Sequence, residues 1–376
     1  MALENYDFSD AVHYHYGKFP PEALDYQKLV GPLTQAAASI ARYDALLQSL
    51  PNSDLLLSPL RRREAVISSR IEGTVATLDE VLELEAQDNA DDEKSNFRSE
   101  VLEVLAYNSA LYHAQSLIED NGLPISGRVI REAHQELLAG TRGASKQPGE
   151  FKDDQNYIVD KPKKKVLFIP PDPTRFRKLF DTLEAFMNDS TVPPLLQIAL
   201  AHVEFEALHP FKDGNGRVGR MLVTLMLWTS GIISSPQFYL SDQLEQTRDE
   251  YIDKMRAVSA ENDWTGWCLF FLDALQKQAE ANSKTAKEIR NLYDKMKPAF
   301  RATTQSQWAT AALDYIFARP IFRTSSFAKD AGIPKQTAHR IANALVKEGL
   351  LTVVRPASGR RSALNAFEPL LSLVRA

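Results

Sequence analysis

The 376-residue sequence predicts a mainly α protein: a helical bundle that carries one β-hairpin, followed by a small C-terminal winged helix-turn-helix. Three observations predict it. Apolar residues recur at spacings of three and four along most of the chain. One stretch, residues 149–171, breaks that rhythm with two short apolar or aromatic runs, Asn156–Val159 and Val166–Ile169, on either side of the polar turn DKPKKK. Beyond residue 306 the order is helix, helix, helix, hairpin, which is the order of a winged helix-turn-helix.

The elements follow in order. Leu33, Ala37, Ile40, Leu46 and Leu47 mark a helix over 31–49. SPLRRREAVISSRIEG, 58–73, has Pro59 in its first turn and Gly73 just past its end, the expected asymmetry of a helix. Thr77 with Glu80 three residues on forms a capping box that opens a helix to about Ala86. Residues 87–95 are polar and acidic and read as a loop. Helices fit 96–120, 126–139, 174–188, 193–208, 215–230, 244–259 and 263–296. In the tail, 307–318, TSSFAKDAGI and KQTAHRIANALVKEGLL are helical. LTVVRP and RRSALNAF flank Ser358-Gly359 as strands flank a turn.

Composition narrows the function classes. The chain is 44% hydrophobic and 25% charged, with 16 Gly and 20 Pro, which excludes collagen-like and wholly disordered readings. No apolar run reaches the roughly 18 residues that a membrane-spanning helix needs, so no membrane partner is expected. The acidic, polar start lacks signal-peptide order, and the sequence has 1 Cys, Cys268. A cytoplasmic protein is the expectation, without disulfide or cysteine-zinc chemistry. The net charge of −5 is unevenly placed: residues 319–376 carry +7 and the rest −12. A basic module on an acidic body suits nucleic acid, so DNA is an expected partner of 319–376. Lys335, Arg340, Arg360 and Arg361 are the candidate phosphate contacts. The expected domains are 1–95, 96–298 and 299–376.

The densest signal is EFEALHPFKDGNGRVGRMLV, 204–223. The helix before it stops at His209-Pro210, because proline disfavours helix at the preceding residue. Asp213-Gly214-Asn215-Gly216 is a turn rich in residues that tolerate positive φ, and a second helix starts at once. Unpaired N–H groups at that helix N-terminus, approached closely through glycine, suit a phosphate. Arg217 and Arg220 lie one turn apart and share a face. Asp213 offers a hard oxygen ligand for Mg²⁺. His209, with an ordinary pKa of about 6.5, suits proton removal near neutral pH. The set fits transfer of a phosphorus group from a nucleotide to a hydroxyl.

HPFKDGNGRVGR, 209–220, resembles the signature of the Fic family, matching it at every specified position. The resemblance implies a Fic-type helical bundle that transfers AMP from ATP to a Ser, Thr or Tyr hydroxyl of a target protein, with self-modification a further outcome. It implies His209 as general base, Asp213 as the Mg²⁺ ligand, Gly214, Asn215, Gly216 and Arg217 around the α- and β-phosphates, and Arg220 on the γ-phosphate. The hairpin is similar to the family's flap, which aligns the target by strand pairing, with Gln155, Asn156, Tyr157 and Ile158 near the nucleotide. SSRIEG, 68–73, resembles the inhibitory motif of the class with an N-terminal inhibitory helix. Ser68 and Glu72 share a helical face ahead of Gly73, and by resemblance Glu72 takes the γ-phosphate position at Arg220. Tyr251 matches the first of two tyrosines that line the adenine pocket in many relatives. Ile252 replaces the second, and Thr247 stands where an asparagine is frequent.

Two alternatives stay open: a DNA-binding regulator whose Fic core is silent or senses nucleotide, and a Fic enzyme that uses another nucleotide donor. A homodimer also stays open.

Overall fold

A computed structural model describes residues 5–87, 98–359 and 361–375. Nearly all of the expected acidic loop, and Arg360, lie outside the described residues. The first elements are β1 (Val12–His13), α1 (Tyr26–Ser49), α2 (Ser53–Leu56), α3 (Ser58–Ile71), α4 (Leu78–Glu85), α5 (Ser99–Glu119) and α6 (Gly127–Leu138). The hairpin strands β2 (Ile158–Asp160) and β3 (Lys165–Ile169) come next. They lead into α7 (Pro173–Met187), α8 (Pro194–Leu208), α9 (Asn215–Thr229), α10 (Ser241–Gln246), α11 (Arg248–Glu261) and α12 (Trp264–Thr304). The tail holds α13 (Ala309–Ala318), β4 (Ile321–Arg323), α14 (Thr324–Asp330), α15 (Lys335–Lys347), β5 (Thr352–Arg355), β6 (Leu364–Ala366) and α16 (Glu368–Arg375).

The chain divides into two compact units that are not consecutive: residues 1–42 with 106–280, and residues 43–105 with 281–376. In the first unit, α8 and α9 form the centre. Nearly every residue of both is buried, as expected for helices apolar on all faces. Trp267 of α12 is fully buried and donates its indole N–H to the Ala199 carbonyl at 2.7 Å. The hairpin forms where expected, with Val159 opposite Val166 and Asp160 opposite Lys165. It is wider than the sequence suggested: β1 adds in parallel beside β3, with Val12 opposite Phe168, in the order β1-β3-β2. Buried polar bonds fix that added strand. Tyr14 donates to Glu204 at 2.6 Å, and His15 bridges Glu204 at 2.8 Å and Ser259 at 2.7 Å. The helix read over 244–259 is two helices that meet at Thr247, whose hydroxyl bonds back to the Gln243 carbonyl at 2.9 Å. That back-bond competes with capping of the next helix.

In the second unit, Thr77 and Glu80 make the reciprocal capping box predicted for α4. Arg62 pairs with Glu85, and Arg375 grips Asp79 through two bonds of 2.7 and 2.9 Å. Ser68 is fully buried on α3, Glu72 caps that helix, and Gly73 turns the chain at φ +88. The tail shows the expected run of helices and hairpin, with two additions. β4 completes a sheet of order β4-β6-β5, and α16 closes the chain. Gly332, at φ +65, turns the chain between α14 and α15. Lys335, Gln336 and Arg340 are exposed on α15. Helix α12 continues eight residues past the expected end at 296, through Pro298.

Candidate active site

The predicted motif occupies the α8–α9 connection in the first unit. α8 ends at His209, which adopts a left-handed conformation at φ 47 and ψ 63 while its N–H still bonds to the Phe205 carbonyl. A non-glycine residue in that region is uncommon and needs support from its surroundings. That support comes from several directions. Asn215 latches the loop from inside: its side-chain oxygen accepts the Phe211 N–H at 2.8 Å and its amide donates to the Phe211 carbonyl at 2.8 Å. Gly214 caps α9 at φ 79, and a Cβ there would press on Leu137 at 3.3 Å and His134 at 3.5 Å. α9 therefore starts at Asn215, with its first backbone N–H groups at the loop, as an anion site requires.

The outer support is the segment 149–156 ahead of β2. Lys152 donates from its backbone to the Pro210 carbonyl at 2.8 Å and from its ammonium to the Leu208 carbonyl at 2.9 Å. Asn156 donates to the carbonyls of His209 at 2.9 Å and Phe211 at 3.1 Å. His134, fully buried on α6, reaches the Asp213 carbonyl at 3.0 Å with Nε2 and accepts the Gly149 N–H at 3.0 Å on Nδ1. Those two bonds require the neutral ring protonated on Nε2, and burial pushes its pKa down to about 4. The ring also stacks on Phe211 at 3.7 Å between centroids. The carbonyls of residues 208, 209, 210, 211 and 213 are thus all held by protein donors.

Arg217 and Arg220 are buried on α9, 4% and 2% exposed. Arg217 lies 3.6 Å from the Asp213 carboxylate, whose side chain is 40% exposed. Asp213 also accepts the Gly214 N–H at 2.7 Å. Among the described residues there is no cluster of three or more His, Cys, Asp or Glu that could hold a metal. A single carboxylate beside a helix N-terminus is compatible with Mg²⁺, which is usually bound by one or two carboxylates together with substrate phosphates and water.

Of Gln155, Asn156, Tyr157 and Ile158, Asn156 bonds to this loop, and the other three have described partners elsewhere. Gln155 donates to the Pro170 carbonyl at 2.9 Å, Tyr157 meets the Phe8 ring edge-on at 5.8 Å, and Ile158 pairs with Phe168. A cavity of about 160 Å³ opens beneath the hairpin, lined by Ile158, Phe168, Glu206, Ala207, Arg248 and Ile252 among others. Tyr251 does not line it. That residue is 3% exposed, and its hydroxyl bonds to His202 Nε2 at 2.8 Å. Ser68, Glu72 and Gly73 belong to the other compact unit.

Sequence reasoning missed His134 and Lys152. The sequence signal for His134 was a histidine among apolar positions on one helix face. For Lys152 it was a lysine inside the segment already singled out as the hairpin.

Residues 124–227, which contain all of the loop and the hairpin, match the family model described as Fic/DOC family. The chain carries a Fic/DOC domain. Residues 30–116 match the Fic/DOC family N-terminal model. The protein adenylyltransferase Fic of Drosophila melanogaster is 29% identical over 211 residues, 55% of this chain and 39% of that protein. The protein of the same name from Culex quinquefasciatus is 26% identical over 290 residues, 72% of this chain and 54% of that protein. The alignments thus span about two fifths to half of these relatives. Among solved structures, a Fic family protein from Desulfovibrio desulfuricans matches at a TM-score of 0.59 and 18% identity, over 93% of this chain and 98% of that one. Fic-1 of C. elegans, residues 134–508, matches at 0.52 and 22%, over 71% of this chain and 75% of that one. These likenesses show that the fold is of the Fic type.

Proposed function

We propose that this Fic/DOC protein is a protein adenylyltransferase that moves AMP from ATP to a Ser, Thr or Tyr hydroxyl of a target protein, and to its own residues in self-modification. The observation that carries the reading is the loop itself. Its carbonyls are held by protein donors, so the face towards the α9 N-terminus presents N–H groups and Arg217 to an anion. The names of the relatives support the same reading.

In this mechanism His209 takes the proton of the attacking hydroxyl. The bond from that oxygen to the α-phosphorus forms, the bond from the α-phosphorus to the bridging oxygen breaks, and pyrophosphate leaves with the electron pair. Asn215 and Gly216 supply backbone donors, Gly214 lets the loop approach closely, and Arg217 and Arg220 supply charge, where negative charge builds up on the phosphates. Mg²⁺ bound through Asp213 would neutralise phosphate oxygens. The cavity beside Ile158 and Ile252 is the proposed seat of the nucleoside ring, with Tyr251 proposed to support it from the same helix. Glu72, with Ser68 and Gly73, is proposed to restrain transfer from the γ-phosphate position, as the motif's resemblance implies.

The proposed site of action is the cytoplasm. The tail is proposed to be a winged helix-turn-helix. A second reading, DNA binding by residues 319–376, is favoured by exposed Lys335, Gln336 and Arg340 at the start and middle of α15. Incubation with each labelled nucleotide tests the main reading. Label from ATP alone, lost in His209→Ala while calorimetry still shows ATP binding, supports it. Label from UTP in its place would move the donor assignment.

A further inference from the structure

Lys152 is 4% exposed, although lysine is rarely buried. Two of its three ammonium donors are engaged, with the Leu208 carbonyl at 2.9 Å and Asn156 Oδ1 at 3.0 Å. The Phe176 ring lies 5.5 Å away. Burial pushes the ammonium down to about 7, against which the Asp172 charge favours the cation. A methionine of similar length would fill this space without that penalty but would donate neither of these bonds. Leu208 is the last residue of α8, where carbonyls lack helical partners and the helix dipole is negative. The next residue is His209.

The same ammonium orients Asn156. With Oδ1 facing Lys152, the amide nitrogen must face the loop, where it holds the carbonyls of His209 and Phe211. Lys152 and Asn156 together thus secure the carbonyls on both sides of the strained His209 peptide. We propose that Lys152 is a positioning residue which sets the place of His209, and that Asn156 works with it as a brace for the loop rather than contacting nucleotide through its side chain. This rests on the adenylyltransferase reading for its kinetic consequence. A displacement of about 1 Å in a reacting group lowers rates by about 100-fold, whereas a nucleotide held by loop N–H groups and arginines is little affected.

The test uses the full chain with Lys152→Met, Lys152→Arg and Asn156→Ala, with labelled AMP transfer and hydrogen exchange over 209–216 as readouts. Lys152→Met is expected to lower kcat by about 10- to 100-fold with KM for ATP within about threefold, and to speed amide exchange across the loop. Lys152→Arg, which keeps charge and donors, should recover most of kcat. Asn156→Ala should reproduce the Lys152→Met pattern, and it carries the test if Lys152→Met does not fold. Unchanged kcat and unchanged exchange in Asn156→Ala would overturn the proposal. A raised KM at unchanged kcat in that variant would place Asn156 on the nucleotide and overturn it too. If the wild-type chain transfers no nucleotide while Lys152→Met or Asn156→Ala still loosens 209–216, the activity reading fails and the positioning role stands.

Discussion

The Asn215 latch gives a prediction whose size follows from its geometry. Asn215 is 2% exposed and makes two bonds of 2.8 Å to the backbone of one residue, Phe211. In Asn215→Ala the Phe211 carbonyl keeps Asn156 as a donor, but the N–H loses the acceptor it has on Asn215. A typical hydrogen bond contributes about 0.5–1.5 kcal/mol net, and a buried donor left unsatisfied costs about 1–3 kcal/mol. The expected loss is therefore about 2–4 kcal/mol. Asn215→Asp separates the two bonds. At pH 7 a carboxylate still accepts the Phe211 N–H, but its second oxygen faces the Phe211 carbonyl and repels it. When protonated, that oxygen becomes a donor and the latch is restored. The Asn215→Asp penalty should therefore shrink as pH is lowered from 7 to 5, relative to wild type at the same pH. Urea unfolding followed by tryptophan fluorescence, with exchange at the Phe211 amide, measures both. A loss below about 0.5 kcal/mol in Asn215→Ala, or the same Asn215→Asp penalty at both pH values, would refute the latch.

Three further outcomes are expected. Glu72→Gly and Glu72→Gln should both raise AMP transfer and self-modification; no rise in either, with circular dichroism unchanged, removes Glu72 as the restraint. Burial holds the His202 pKa down to about 3. The stability tied to the neutral ring is therefore whole above the unfolded value of about 6.5 and is lost as pH falls towards 3, by up to about 5 kcal/mol. His202→Gln should flatten that slope in acid-unfolding curves, and an unchanged slope would place the acid sensitivity elsewhere. The full chain should bind DNA weakly, with affinity that falls steeply as salt rises. Lys335→Glu with Arg340→Glu should abolish this, and a flat anisotropy titration of the wild type at low salt would leave α15 without a DNA role.

The parts of this molecule that were legible in the sequence are those set by local rules. The Thr77–Glu80 capping box and the turn at Gly73 are short-range events, and each appears where its residues predicted it. The loop from His209 to Arg220 was legible for the same reason, since proline, glycine and helix start follow within a few residues. What stayed hidden depends on partners distant in sequence. His134 reaches a loop some 79 residues away, and Lys152 reaches a carbonyl 56 residues away. No periodicity of three or four encodes either contact. The Val12–His13 strand is two residues long, too short to leave a pattern. The bond from the Tyr251 hydroxyl to buried His202 likewise joins residues 49 apart, which no local pattern encodes.

The parallel pairing of Val12 with Phe168 joins positions more than 150 residues apart. On a ribosome adding about 5–20 residues per second, the first strand waits about 10–30 seconds before its partner exists. The two strands of the hairpin, by contrast, are separated by a four-residue turn and meet as soon as both are made. The strand that waits is therefore β1, which precedes both strands of the hairpin in the chain. During that interval β1 has unpaired N–H and C=O groups, a ready template for another chain. The buried bonds of Tyr14 and His15 to Glu204 have to form on the same late schedule. A nascent-chain crosslink between residues 12 and 168 should accordingly appear only once residue 168 has left the exit tunnel, no earlier than a crosslink between residues 158 and 168.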